Sequence, residues 1–282
     1  MLTTTSPQSE THPMPIDHPT LVTAVRAAFE PLDYVHALFE AGSAAFGRAD
    51  ALSDIDLTAD VDEGREDEAF TAVETALEQV APIEIRWIIP TPAWHGMAQR
   101  FYRLAGSPPH LMVDLTLRPA GRPDLFAERE LHGEPVVYFD KRGLVKSIPA
   151  DPAKVRADVA ARVATLRVQL PLLEHLVIKE LTRGHPIDAI GYYFSLVLRP
   201  LVELLRVRHC PARHAFGLRY LDHDLPAADV ARLTPLLFVR DAEDLAAKHA
   251  QAVEWCLDLL SAPDIAQPVA PDIAQPVAPD IA

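Results

Sequence analysis

The chain has 282 residues, 49% hydrophobic and 23% charged, a formal net charge of −14 and two cysteines. This is ordinary globular composition, and at ~100 to 200 residues per domain the length suggests two domains. No apolar run reaches the ~18 residues of a membrane span, the first residues lack a signal-peptide pattern, and two cysteines are too few for a four-thiolate zinc site. A cytoplasmic protein with Cys210 and Cys256 reduced is expected.

Residues 1 to 17, rich in Thr, Ser and Pro, read as a flexible leader. Leu21, Val22, Val25 and Phe29 have amphipathic helical spacing, and a short apolar run from His36 to Ala41 stops at Gly42-Ser43. From Ser53 to Val61 polar and apolar residues alternate, as in a half-buried strand. Helical spacing follows from Glu66 to Val80, Pro82 interrupts it, and Ile83 to Ile88 resumes alternation. Leu111 to Leu117 is the next strand-like run, while Pro90 to Pro109 shows no assignable period. From Asp151 the period becomes helical: Asp151 can cap, Pro152 suits the first helical position, and Val155, Val159, Val163, Leu166 and Leu170 form one apolar face. Further helices are expected over Ile187–His209, Ala227–Val239 and Ala242–Leu260, with kinks at Pro171 and Pro200. The end repeats Pro-Asp-Ile-Ala-Gln-Pro-Val-Ala, which reads as a disordered tail over 263 to 282. The pattern therefore gives an α+β chain in four parts: the leader, a mixed strand and helix domain over 18 to 150, a helical bundle over 151 to 262, and the tail.

Charge is unevenly placed. Residues 1 to 150 carry 23 acidic and 12 basic side chains, whereas residues 151 to 262 carry 14 of each. Nine carboxylates fall between Asp50 and Glu68, a density that repels polyanions and attracts cations. Nucleic acid binding, which needs a basic footprint, is disfavoured. Within this acidic stretch Asp54 and Asp56 are two apart on a strand, so both carboxylates point to the face opposite Ile55 and Leu57. Such a pair repels itself unless divalent cations lie between the oxygens, and hard oxygen ligands suit magnesium. Upstream, Gly42 permits a tight turn, and Ser43 with the following N–H groups could hold phosphate oxygens.

Gly42-Ser43, ten intervening residues, and Asp54-Ile55-Asp56 together resemble the nucleotidyltransferase superfamily that includes DNA polymerase beta and the aminoglycoside and minimal nucleotidyltransferases. The resemblance is specific over about Phe39 to Asp60 and looser to Leu117. It implies a small mixed sheet flanked by helices, followed by an all-α domain that lines an acceptor pocket. It also implies nucleotidyl transfer from ATP or another nucleoside triphosphate with two Mg2+ ions. Asp54, Asp56 and a third carboxylate, assigned to Asp114 because it is the only acid in a strand-like apolar run, would hold the metal. Gly42, Ser43, Arg48 and Ser53 would serve the nucleotide. Glu84 is either a surface ion pair with Arg86 or the base that takes the acceptor proton. The acidic surround favours a small, cationic, hydroxyl-bearing acceptor of the aminoglycoside kind. The alternative is a regulator like the nucleotidyltransferase partner of a toxin and antitoxin pair, which modifies or binds a protein.

A second cluster lies in the helical half, where Arg199, Arg206, Arg208, Arg213 and Arg219 are interleaved with His209, His214, Phe216 and Tyr220. It reads either as a phosphate or base clamp or as helix-end and surface charge. A zinc site at His209, Cys210 and His214 is disfavoured by the single thiol.

Overall fold

Residues 16–90, 93, 95–263 and 265 are described by a computed structural model, and the chain divides between Ile148 and Pro149 into two units. Most of the leader and nearly all of the repeat lie outside the described residues. No helix among the described residues is long and apolar enough to cross a membrane.

The first unit contains α1 (His18–Phe29), β1 (Val35–Glu40), the single turn α2 (Gly42–Ala45), β2 (Ile55–Val61), α3 (Glu66–Val80), β3 (Ile83–Ile88), β4 (Ala98–Leu104), β5 (Val113–Pro119), α4 (Arg129–His132) and β6 (Val136–Asp140). The strands form one sheet in the order β3-β4-β5-β2-β1-β6. Only the central pair, β2 with β5, is parallel; the other pairs are antiparallel. Alternation explains the two faces. Ile55, Leu57, Ala59 and Val61 of β2 and Val113, Leu115 and Leu117 of β5 bury one face with α1 residues Leu21, Val25 and Phe29 and α3 residues Phe70, Val73 and Leu77. The opposite face carries Asp56, Thr58 and Asp60 beside their register partners Asp114, Thr116 and Arg118.

Burying charge on that second face requires pairing. Arg118 donates to both oxygens of Asp60, at 2.5 and 2.8 Å, and also to the Leu125 carbonyl at 2.6 Å. Its guanidinium lies over the Phe39 ring. The pair ties β2 to β5 and anchors the 120s loop across the polar face.

β4 falls inside the stretch that has no readable period. Its alternation, Ala98, Arg100, Tyr102, Leu104, is disguised because Arg100 takes a core-facing position, with its guanidinium 4.0 Å from the Phe70 ring centroid and bonded to Glu74 and Asp67. β6 pairs with β1 at the other edge and is likewise absent from the periodicity reading.

The second unit is all helical: α5 (Pro152–Leu173), α6 (His175–Thr182), α7 (Pro186–Tyr192), a π-helical turn (Tyr193–Leu198), α8 (Arg199–His209), a 3-10 turn (Pro211–Arg213), α9 (Leu221–Asp224), α10 (Ala227–Leu237) and α11 (Ala242–Ser261). Asp151 caps α5 by accepting from the Ala153 N–H at 2.8 Å. Pro171 lies in the last turn of α5, and the widened π turn immediately precedes Pro200, whose ring cannot donate and would crowd the preceding turn. Ile265 is buried in the core of this unit, so the unit extends past residue 262.

Neither reading of the arginine cluster describes its centre. Arg206 is fully buried; it donates to Asp224 at 2.7 Å and to the Gly217 carbonyl at 2.9 Å. Arg213 takes the other Asp224 oxygen at 2.6 Å and lies over Phe216. These two arginines therefore fasten the 210–224 segment to α8 and are neither a surface charge nor an open clamp. His209 bonds to Asp229 and His214 to the Pro211 carbonyl, so neither ring is turned to a common metal with Cys210.

Asp224→Ala would strand two buried guanidinium groups and should lower the stability of the helical unit by about 3–5 kcal/mol in urea unfolding. Loss of the exposed Arg199 should cost under about 1 kcal/mol. Burial pushes the Cys256 thiol up to about 12 and also raises Cys210. Both should react slowly with a disulfide reagent at pH 8 in the folded protein and rapidly in denaturant.

Candidate active site

The site is built at the end of the sheet where β1 leaves and β2 enters. After β1 the chain turns through Gly42 with φ +55, a left-handed conformation that favours glycine. A second constraint acts at the same residue. A Cβ at position 42 would lie 1.6 Å from Asp56 Oδ2, so only glycine lets the turn close against that carboxylate. The Ala41 N–H donates to the Asp56 carbonyl at 2.8 Å, which joins the turn to β2. Ser43 is the second residue of the single turn α2, and its carbonyl accepts from the Arg48 N–H at 2.9 Å.

Asp56 and Asp114 are register partners on the parallel pair, so their side chains stand side by side on the polar face. Asp54 precedes them by one pleat, where the ladder continues through the Ile55 N–H to the Met112 carbonyl at 2.9 Å. Asp114 feels this company. Its carboxyl is pushed up to about 7, chiefly by burial and further by the charges of Asp56 and Asp54, against a lowering hydrogen bond from Gln99. The donor set of three carboxylates with mutual repulsion is chemically suited to a hard divalent cation.

The register row extends further. Phe101 of β4 is the partner of Asp114, and Trp87 of β3 is the partner of Phe101. One line across four strands thus reads Trp87, Phe101, Asp114, Asp56, with the Gly42 turn beyond Asp56 on the β1 side.

Gln99 and His95 are site-supporting residues that the sequence did not signal, because both fall in the stretch without a period. Gln99 Nε2 donates to both Asp114 oxygens, at 2.7 and 2.9 Å. The Met97 N–H donates to His95 Nδ1 at 3.1 Å, which leaves Nε2 to donate to Gln99 Oε1, also at 3.1 Å. This chain fixes the amide with its NH2 toward Asp114.

The other sequence candidates occupy different settings. Ser53 accepts from the Asp50 N–H and donates to the Asp50 side chain, at 2.9 and 3.2 Å; it shapes the loop that delivers Asp54. The Arg48 guanidinium lies over the Phe46 ring. Glu84 is on edge strand β3, with β4 between it and Asp114, and accepts from Arg103 at 3.2 Å. The expected partner Arg86 instead pairs with Glu74 on α3. The acidic run is also less open than its composition suggests: Asp60, Asp62, Asp67 and Glu68 are paired with Arg118, His36, Arg100 and Arg65. In the helical unit, Glu180, His185 and Asp188 bring three possible ligand atoms within 4.8 Å of one another, but Glu180 is already bonded there to Arg183 and His185.

The chain is similar in structure to an aminoglycoside 6-adenyltransferase from Bacillus subtilis, with 13% identity, a TM-score of 0.32, and coverage of 89% of this chain and 95% of that one. It is also similar to the spectinomycin adenyltransferase AAD(9) from Enterococcus faecialis, solved with ATP and spectinomycin, with 10% identity, a TM-score of 0.32, and coverage of 86% and 97%. No family model and no curated protein matches the chain.

The raised Asp114 carboxyl has a thermodynamic signature. Between about pH 4 and 7 the folded state holds a proton that the unfolded chain has lost, so stability falls as pH rises through that window and stays low above it. Asp114→Asn should therefore stabilise the metal-free protein by about 1–3 kcal/mol at pH 8 and by little at pH 4.5. Thermal unfolding at the two pH values checks this; an equal gain at both would refute it.

Proposed function

We propose that the chain is a magnesium-dependent nucleotidyltransferase that moves AMP from ATP onto a hydroxyl of a small-molecule acceptor, in the cytoplasm where both ATP and magnesium are available. The observation that carries this reading is the register pairing of Asp56 with Asp114, with the Gly42 turn closed directly against Asp56. The Gly42-Ser43 and Asp54-Ile55-Asp56 motif supports it through its resemblance to the nucleotidyltransferase superfamily.

Asp54, Asp56 and Asp114 would hold two magnesium ions, which when bound offset the charge on the phosphate oxygens and on the attacking hydroxyl. The Gly42-Ser43 turn takes the β or γ phosphate through its hydroxyl and N–H groups, with Arg48 supplying positive charge nearby. Gln99 keeps the Asp114 carboxylate turned toward the ligand position. The acceptor oxygen forms a bond to the α-phosphorus while the bond to the α,β-bridging oxygen breaks. Pyrophosphate leaves with that electron pair. The acceptor proton is released to solvent; Glu84, two strands from Asp114 and paired with Arg103, is read as the surface ion pair and not as the base.

Asp54→Asn with Asp56→Asn should lower transfer by about a thousandfold or more without unfolding the chain, measured with labelled ATP against aminoglycosides, lincosamides and cell-extract proteins. Unchanged turnover in the double variant refutes the proposal, and label found only on protein favours a regulatory enzyme over a small-molecule one. Gly42→Ala, by displacing the Asp56 carboxylate, should cost about a hundredfold. Glu84→Gln, which removes only an exposed ion pair with Arg103, should leave both kcat and magnesium-dependent ATP binding within about twofold.

A further inference from the structure

The helical unit already holds the start of the terminal repeat. Pro-Asp-Ile-Ala-Gln-Pro-Val-Ala runs from Pro263 and again from Pro271, with a third start at Pro279, so Ile265, Ile273 and Ile281 occupy the same place in successive copies. The Ile265 N–H donates to the Ala262 carbonyl at 3.2 Å, which closes a turn directly after α11 and reverses the chain. Ile265 is only 4% exposed and joins Leu259 and Leu260 in the core of the unit. The chain is thus turned back toward α11, with its first repeat isoleucine seated.

At the other end of α11 an apolar cleft of about 220 Å³ stands open, lined by Pro186, Ile187 and Ile190 of α7 and by Val239, Arg240 and Leu245. Ile187 is 83% exposed there, and Phe238, next to Val239 in the chain, is 71% exposed. Large apolar side chains left open together mark a contact surface. Distance decides what can reach it. From Leu260 to Leu245 the helix rises ~22 Å at ~1.5 Å per residue, and eight residues of proline-rich chain span ~25 Å at ~3.1 Å per residue. One repeat is therefore long enough to carry the next isoleucine, Ile273, from the Ile265 seat to the cleft.

Charge agrees with this register. Ile273 is preceded by Asp272. Arg240 gives one guanidinium nitrogen to Asp244, which leaves further N–H donors for a second carboxylate. Asp241, also at the cleft, is occupied as the cap of α11, where it accepts from the Asp244 N–H at 2.8 Å.

We infer that the second copy of the repeat folds back along α11 and docks in this cleft, with Ile273 against Ile187 and Ile190 and Asp272 on Arg240. The terminal segment is then a clasp that ties α7 to both ends of α11. The contact lies wholly within the helical unit and is independent of the nucleotide chemistry proposed for the first unit.

The test uses the full chain with paired thiols, Ile187→Cys with Ile273→Cys, oxidised by diamide at low micromolar concentration and read by non-reducing electrophoresis. Peptide mapping separates the new pair from the free thiols Cys210 and Cys256. Val168→Cys with Ile273→Cys is the control. Val168 is 65% exposed and adjoins Arg167, which donates to the Leu260 carbonyl at 3.2 Å, so it lies near the end of α11 from which the segment starts. Docking should make the crosslink at position 187 form about tenfold faster than that at position 168, whereas an undocked segment meets the nearer thiol at least as often. An equal or reversed ratio overturns the inference. Arg240→Asp should slow the crosslink at position 187 about two- to fivefold, and adding Asp272→Arg should restore it; no restoration overturns the Asp272 contact. A crosslinked dimer in place of the monomeric product assigns the cleft to a second copy and overturns docking within one chain.

Discussion

The parallel pairing of β2 with β5 is the constraint on which the rest of the first unit depends. It is the only parallel junction in the sheet, and its register sets Asp56 abreast of Asp114 on one face and apolar partners abreast on the other. A slip of one residue would turn the carboxylate of the shifted strand into the layer beneath α1 and α3 and separate it from its partner. The Asp60–Arg118 pair, four residues farther along both strands and on the same face, opposes that slip, since a shifted register would separate two buried charges. Backbone pairing, buried ion pair and carboxylate site are therefore aspects of one alignment.

Charge in this unit is handled in two ways. Where a carboxylate serves structure it is given a cation: Asp60 has Arg118, Asp67 and Glu74 share Arg100, and Asp62 has His36. Where it serves the proposed chemistry it is set beside other carboxylates, and among the described residues the side-chain hydrogen-bond donor to Asp114 is the neutral amide of Gln99. The cost is local instability in the absence of a counterion, visible in the raised Asp114 carboxyl. The helical unit follows the first pattern at Asp224, which gathers Arg206 and Arg213.

Helix α3 and strand β3 were legible because their periods are undisturbed: Glu66 to Val80 and Ile83 to Ile88 agree with the observed elements. β4 was not, since Arg100 stands where an apolar residue would reveal the alternation and offsets its burial through Phe70 and two carboxylates. The same failure hid Gln99 and His95. Their function is defined by which strand lies beside β5, a tertiary fact with no local signature. The Asp54 and Asp56 doublet was legible because a spacing of two on a strand is itself a geometric statement. The roles of Arg206 and Arg213 were not, because composition cannot distinguish a surface arginine from one folded back onto a buried aspartate.

Among the described residues, β3 is the last strand on its side of the sheet. Ile85, Trp87 and Ile88 are exposed along it. An edge so equipped is a template for adding a strand from another chain. Glu84 and Arg86, interspersed among the apolar positions and held by Arg103 and Glu74, act as charged gatekeepers against self-association. The exposed apolar edge thus carries a colloidal hazard, with two ion pairs at its margin.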